Sequence, residues 1–145
     1  MDHAAVMNSC DDKALRVGLS RLTEVERVVV LVSRANFEIE LGGLDTFYYN
    51  SAGDEAVPTV DALKAVGATQ AASALENANA LFPGGSPPRA REKRFAALEA
   101  VRSLRGRPLD ALEKKTDSED PDIFSRLCRY IETHAKELKK HGSGG

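Results

Sequence analysis

Apolar residues at Val25, Val28, Val29, Val32 and Ile39 recur at the spacing of one helical face, which predicts a helix over about residues 23–41. Thr23 and Glu26 form the pattern in which each side chain satisfies the other residue's free backbone amide, and they mark its start. Val30, Leu31, Phe37 and Leu41 place further apolar groups on the remaining faces. A helix apolar on all sides is expected to be surrounded by others, so this segment is read as the centre of the fold.

The rest of the chain reads as shorter helices with clear punctuation. Leu44, Phe47 and Tyr48 share a face, residues 50–53 form a turn, and Asp54 is expected to cap a helix reaching Val66, which Gly67 ends. Thr69 is expected to cap the next helix, with Ala71, Ala74, Leu75, Ala78, Leu81 and Phe82 at helical spacing until Pro83-Gly84-Gly85. After a loop at 83–88 comes a basic helix over about 89–104, with Phe95, Leu98, Val101 and Leu104 inward, and then a turn at 106–108. Asp120 as cap and Pro121 at the first helical position start an amphipathic C-terminal helix whose stripe is Phe124, Leu127, Cys128, Ile131, Ala135 and Leu138. No segment alternates as a strand would. The expectation is an all-α, compact multi-helix single domain: an N-terminal segment or helix over 1–20, one helical domain over 21–140, and a disordered tail over 141–145.

Composition narrows the class. The chain has 145 residues, 42% hydrophobic and 29% charged, enough for one core and too apolar for a disordered segment. No apolar run approaches a membrane span, and residues 1–10 show no basic region followed by an apolar stretch, so a cytoplasmic protein is expected. Cys10 and Cys128 stand alone, which points to neither a disulfide framework nor a zinc knuckle, and Cys128 is expected in the core. The net charge of -2 conceals an asymmetry: residues 1–83 hold 12 acidic and 6 basic residues, residues 84–145 hold 10 and 14. That balance disfavours direct nucleic-acid binding and leaves an acidic N-terminal portion available for a protein partner.

Catalytic signatures are missing. There is no phosphate-binding glycine loop, no dinucleotide fingerprint, no H-E-x-x-H and no nucleophile elbow. His134 and His141, seven apart, could approach one helical face, yet two histidines near a chain end make a poor metal site, and no metal or cofactor is expected. Arg89, Arg91, Lys93, Arg94, Arg102, Arg105 and Arg107 lack interleaved aromatics and are read as a solvated helix face.

The stretch GGLDTFYYNSAGD, residues 42–54, is the densest in unusual residues. Gly42 and Gly43 allow backbone angles that let the long helix end sharply, and Phe47 and Tyr48 are expected to fold back on the core. Asn50 and Ser51 can bond local backbone, Gly53 can take positive φ, and Asp54 can accept amides of the following helix. A structural corner accounts for every one of these residues. The alternative is a pocket for a small molecule or a small enzyme site, lined by Tyr48, Tyr49, Asn50, Ser51 and Asp54.

"LTEVERVVVLV" followed by "ELGGLDTFYYNSAGDEAVPTVDALKAVGATQAASALENANALFPGG", with a weaker echo in "DIFSRLCRYIETH", resembles a bacterial all-helical domain family typified by a DNA-mimic protein. The core motif spans 22–85. The family's usual Asn-Gly-Gly-Phe is replaced by Leu41, Gly42, Gly43 and Leu44, and its Asn-Ser-Ser-Gly by Asn50, Ser51, Ala52 and Gly53. The resemblance implies a helical fold, a homodimer, no catalytic activity, and binding of a transcriptional regulator or other DNA-binding protein through carboxylates that imitate phosphates. The candidate partner-binding residues are Glu38, Glu40, Asp45, Asp54, Glu55, Asp61 and Glu76, all in the net-negative portion. An immunity or antitoxin-like role, also by protein binding, is a further alternative.

Overall fold

The computed structural model describes residues 1–142, and among them the chain is all-α. The elements are α1 (His3–Val17), α2 (Glu24–Tyr49), α3 (Ala56–Ala65), α4 (Thr69–Ala80), α5 (Arg91–Arg102), α6 (Pro108–Asp117), α7 (Ile123–Thr133) and α8 (Lys139–Gly142), with single 3-10 turns at Leu19–Arg21, Ser51–Glu55 and Pro83–Gly85. As the apolar pattern predicts, α2 is the centre: it packs against α1, α3, α5, α6 and α7, and Val29, Val30, Val32 and Ala35 are fully buried. Three of its large apolar residues escape cover, Phe37 at 64%, Leu41 at 67% and Tyr49 at 47% exposure.

At Gly42 and Gly43 the helix breaks and resumes. Gly43 sits at φ 76, ψ -166, a region only glycine occupies readily, while Gly42 at φ -161 is extended. A Cβ on Gly43 would lie 2.6 Å from the Glu113 carboxyl, which accepts from the Asp45 amide at 3.3 Å. A side chain of α6 therefore caps the second half of α2. The same element repeats the device next door: Glu119, buried just after α6, accepts from the Gln70 and Ala71 amides at 3.0 and 3.4 Å.

This borrowed cap corrects the expectation for Thr69, which lies in the first helical position and caps nothing, because the Glu119 carboxylate, just past α6, already serves the free amides of α4. Helix α6 itself was not anticipated, since 108–117 carries few apolar residues; only Leu109 and Thr116 are buried. Helix α7 is capped by Asp122 accepting from Ser125, rather than by Asp120, and its inward stripe is Ile123, Leu127 and Ile131. Phe124, expected inside, is 45% exposed, and Cys128 is half-buried. On α5, Leu98 and Val101 are buried and Leu104 lies past the helix end, exposed.

The Thr23–Glu26 cap exists as read, and it does more than cap. Glu26 is fully buried, accepts the Thr23 amide at 2.9 Å and takes both Lys13 hydrogen bonds at 2.8 and 2.9 Å. His141 Nε2 donates to its other side, with Lys140 Nζ at 3.6 Å, and His141 Nδ1 lies 2.8 Å from Ser9 Oγ. His141, expected in a disordered tail, is thus buried in α8 and ties it to α1 and α2; the remainder of the expected tail, 143–145, lies outside the described residues. It also shares no face with His134, which pairs with Glu137 at 2.8 Å. Cys10, buried in the same region, has its thiol pushed up to about 11 by burial and the neighbouring Glu26 carboxylate.

Burial alone would raise the Glu26 carboxyl, but the Lys13, Thr23 and His141 hydrogen bonds outweigh it and hold it at about 2 against an ordinary 4.5. Its stabilising contribution is therefore present above pH 4.5 and is lost as pH falls from 4.5 toward 2. Urea unfolding across pH 2–7 checks this: Glu26→Gln should be less stable than the natural chain at pH 7 and should show a shallower loss on acidification, and parallel curves would contradict the assignment.

Candidate partner-binding surface

The corner at 42–55 is held from outside by arginines of α5 and the turn before it. Arg94 is 0% exposed. Its guanidinium donates to Tyr48 O at 2.7 Å, Asn50 O at 2.9 Å, Pro88 O at 3.1 Å and Arg89 O at 2.8 Å, and pairs with the Asp54 carboxylate at 2.8 Å. Arg91 donates to Tyr49 O at 3.1 Å and lies over the stacked rings of Tyr49 and Phe95, 5.7 and 5.3 Å from their centres. Arg89 bonds Glu55 at 2.7 Å. Three of the arginines expected on a solvated face therefore fasten the corner. Arg94 lies in register with Leu98 and Val101 at i, i+4 and i+7, a placement on the inner stripe that the sequence does carry.

Inside the corner, Phe47 and Tyr48 are fully buried, as expected. The Tyr48 hydroxyl donates to Asn79 Oδ1 at 2.7 Å, and the Asn79 amide donates to Ala56 O at 3.1 Å. Burial drives the Tyr48 hydroxyl far above its ordinary value, which keeps it protonated and donating to Asn79. Gly53 does not take the positive φ expected of it. It is needed for space instead: a Cβ would sit 2.8 Å from Phe47 O and 2.9 Å from Arg94 Nε. Asn50 sends its amide to Glu38 Oε2 at 2.8 Å rather than to local backbone, and Asp54 pairs with Arg94 rather than capping α3. The buried guanidinium is the stronger partner for a carboxylate than helix amides are.

The seven candidate carboxylates do not form one array. Glu38, Asp54 and Glu55 line an open groove of about 560 Å³ between α1, α2 and the 51–55 turn, shared with Asp11, Arg34, Leu15 and Phe37. Asp45 lies in a separate cleft beside Arg102, Arg107, Asp110 and Glu113. Glu40 flanks a hollow with Asp117 and Asp122, and Asp61 and Glu76 flank a fourth against the 83–88 loop. Four of the seven carry a cation: Arg102 on Asp45 through two bonds of 2.7 Å, Arg94 on Asp54, Arg89 on Glu55 and Lys64 on Glu76 at 3.4 Å. Among the described residues Glu40 and Asp61 have no ionic partner.

Neither Tyr48 nor Tyr49 lines the groove that Ser51 and Asp54 share, so the five residues of the alternative pocket do not converge. Among the described residues no group of three His, Cys, Asp or Glu side chains is disposed to hold a metal ion, and no helix is long and apolar enough to cross a membrane.

An all-helical domain with an arginine-clasped corner and charged surface hollows defines a class of small helical module. The chain belongs to the DMP19-like protein family, whose sequence profile matches residues 20–134. That family is bacterial, and it is named for a DNA-mimic protein. Comparison with curated proteins and with solved structures returned no match.

Replacing Arg94 leaves the buried carbonyl of Tyr48 without its donor, at a cost of about 1–3 kcal/mol, and takes the cation from Asp54, while Asn50 O keeps the Gly53 amide at 3.0 Å. Arg94→Ala should therefore lower unfolding stability by at least about 3 kcal/mol, and Arg94→Lys should recover little, because one ammonium cannot reach carbonyls on both sides. Arg105→Ala, on an exposed side chain, should change stability by no more than about 0.5 kcal/mol in the same urea titration. Equal effects at the two positions would contradict the clasp.

Proposed function

We propose that this chain is a non-catalytic interaction protein that binds a transcriptional regulator or other DNA-binding protein in the bacterial cytoplasm through its acidic surface, as a homodimer and without direct contact to nucleic acid. The observation that carries this reading is the gathering of Glu38, Asp54 and Glu55 in one open groove on a chain of the DMP19-like family. Exposed Leu41, Val57 and Phe124 supply apolar area for self-association.

Imitation of duplex DNA by charge alone would require about one negative charge per 1.7 Å of axis. The arginine partners of Asp45, Asp54 and Glu55 dilute that density, so the surface is acidic in patches and mixed overall. Partner binding then depends on a few unneutralised carboxylates: Glu38, which has only an amide partner, and the unpaired Glu40 and Asp61.

Affinity capture with the tagged chain from its own cell lysate at low and high salt tests the proposal. A stoichiometric DNA-binding or regulatory protein should be retained at low salt, released at high salt and displaced by duplex DNA. Glu38→Lys in the groove, and Glu40→Lys combined with Asp61→Lys outside it, break no internal ion pair, and the first should weaken capture by about tenfold. No specific partner at either salt, or a partner indifferent to both salt and charge reversal, would overturn it.

A further inference from the structure

The groove between α1 and α2 differs from the other hollows in carrying large exposed apolar side chains beside its carboxylates. Leu15 is 74% exposed and Phe37 64%, two bulky apolar side chains lining one opening. Along α1 the lining runs from Met7 through Asp11 to Leu15, which is two helical turns or about 12 Å. Along α2 it is Ser33, Arg34, Phe37 and Glu38. Both long walls are helix faces, with every backbone amide already used within its helix, so an extended strand would find no edge to pair with. A helix laid between them would instead bury its own apolar stripe against Phe37 and Leu15.

Charge selects which helix. The lining residues hold four carboxylates, Asp11, Glu38, Asp54 and Glu55, against the single Arg34, which Asp11 neutralises at 2.6 Å. Arg94 and Arg89 lie outside the lining and satisfy Asp54 and Glu55 from behind, which leaves Glu38, with its amide partner only, as the strongest uncompensated charge. We infer that this groove is a docking site for a basic amphipathic helix of a partner protein, whose apolar residues cover Phe37 and Leu15 while its arginines or lysines meet Glu38. The inference rests on the reading that the acidic surface binds protein, and it adds an apolar anchor that charge imitation of a phosphate backbone does not need.

The test uses defined peptides, so that its failure and the failure to capture a regulator remain distinct results. Two helical peptides of about 18 residues share one leucine face, and the opposite face is arginine in one and glutamate in the other. Each is titrated into the full chain while backbone amide resonances are followed. The arginine peptide should bind, with shifts clustered at 7–15, 33–38 and 51–55, and the glutamate peptide should bind at least about tenfold more weakly. Phe37→Asp, at an exposed position, should weaken the arginine peptide by about tenfold or more while leaving the dispersed spectrum intact, and Leu15→Asp should act in the same direction. Equal affinity for both peptides, indifference to both substitutions, or shifts elsewhere would overturn the assignment. So would sedimentation showing a dimer that Phe37→Asp splits and the arginine peptide leaves intact, since the occupant would then be a second copy of the chain.

Discussion

A single buried guanidinium sets the geometry on which the surface depends. Arg94 lies where the end of α2 and the 51–55 turn that follows it meet the loop before α5, some forty residues further along the chain. A planar fork with donors on several sides can serve converging carbonyls at once, which an ammonium or an amide cannot do. Because the charge is enclosed, its bonds to Tyr48 O and Asn50 O are obligatory rather than optional. Gly53 has to be glycine beside it, since the room a methyl would need is filled by Arg94 and the Phe47 carbonyl. The corner is consequently rigid, and Asp54 and Glu55 are held at the rim of the groove instead of moving with a loop.

The same economy governs the rest of the electrostatics. Carboxylates near the interior are consumed in structural work: Glu26 joins α1, α2 and α8, while Glu113 of α6 caps the second half of α2 and Glu119, just past α6, caps the start of α4. The amino termini of both halves of α2 and of α4, which might otherwise accept an external anion, are thereby closed from within. What remains for a partner is a set of patches separated by ion pairs, with apolar side chains in one of them. A partner recognised by such a surface is selected by shape and local charge together, since no long one-signed array is available.

Much of the fold was legible from periodicity. The valines of α2, the alanines of α4 and the Thr23–Glu26 cap each state their structure locally, and the structure keeps them. What was not legible arises from long-range satisfaction of polar groups. Glu119 reaches amides nearly fifty residues away, and Asp54 abandons the local cap for Arg94, because a buried charge outbids neighbouring amides. Arg94 was read as solvated on residue type alone, although its register with Leu98 and Val101 placed it on the inner stripe. Phe37 shows the opposite case: an apolar residue on the central helix was expected inside, and it is 64% exposed, lining an open groove. The candidate carboxylates were identifiable by charge, but their distribution over four hollows follows from the packing of α3, α5 and α6, which no local pattern encodes.

Native-state hydrogen exchange at the Asn50 and Gly53 amides tests the preformed corner most directly. These amides bond to Thr46 O and Asn50 O, at 3.1 and 3.0 Å, inside the region that Arg94 fastens. They should exchange only with global unfolding, with the same free energy as the amides of Val30 and Leu31 in the middle of α2. Exchange at a markedly lower free energy, with α2 still protected, would show that the corner opens by itself, and the account of a rigid, arginine-held surface would be wrong.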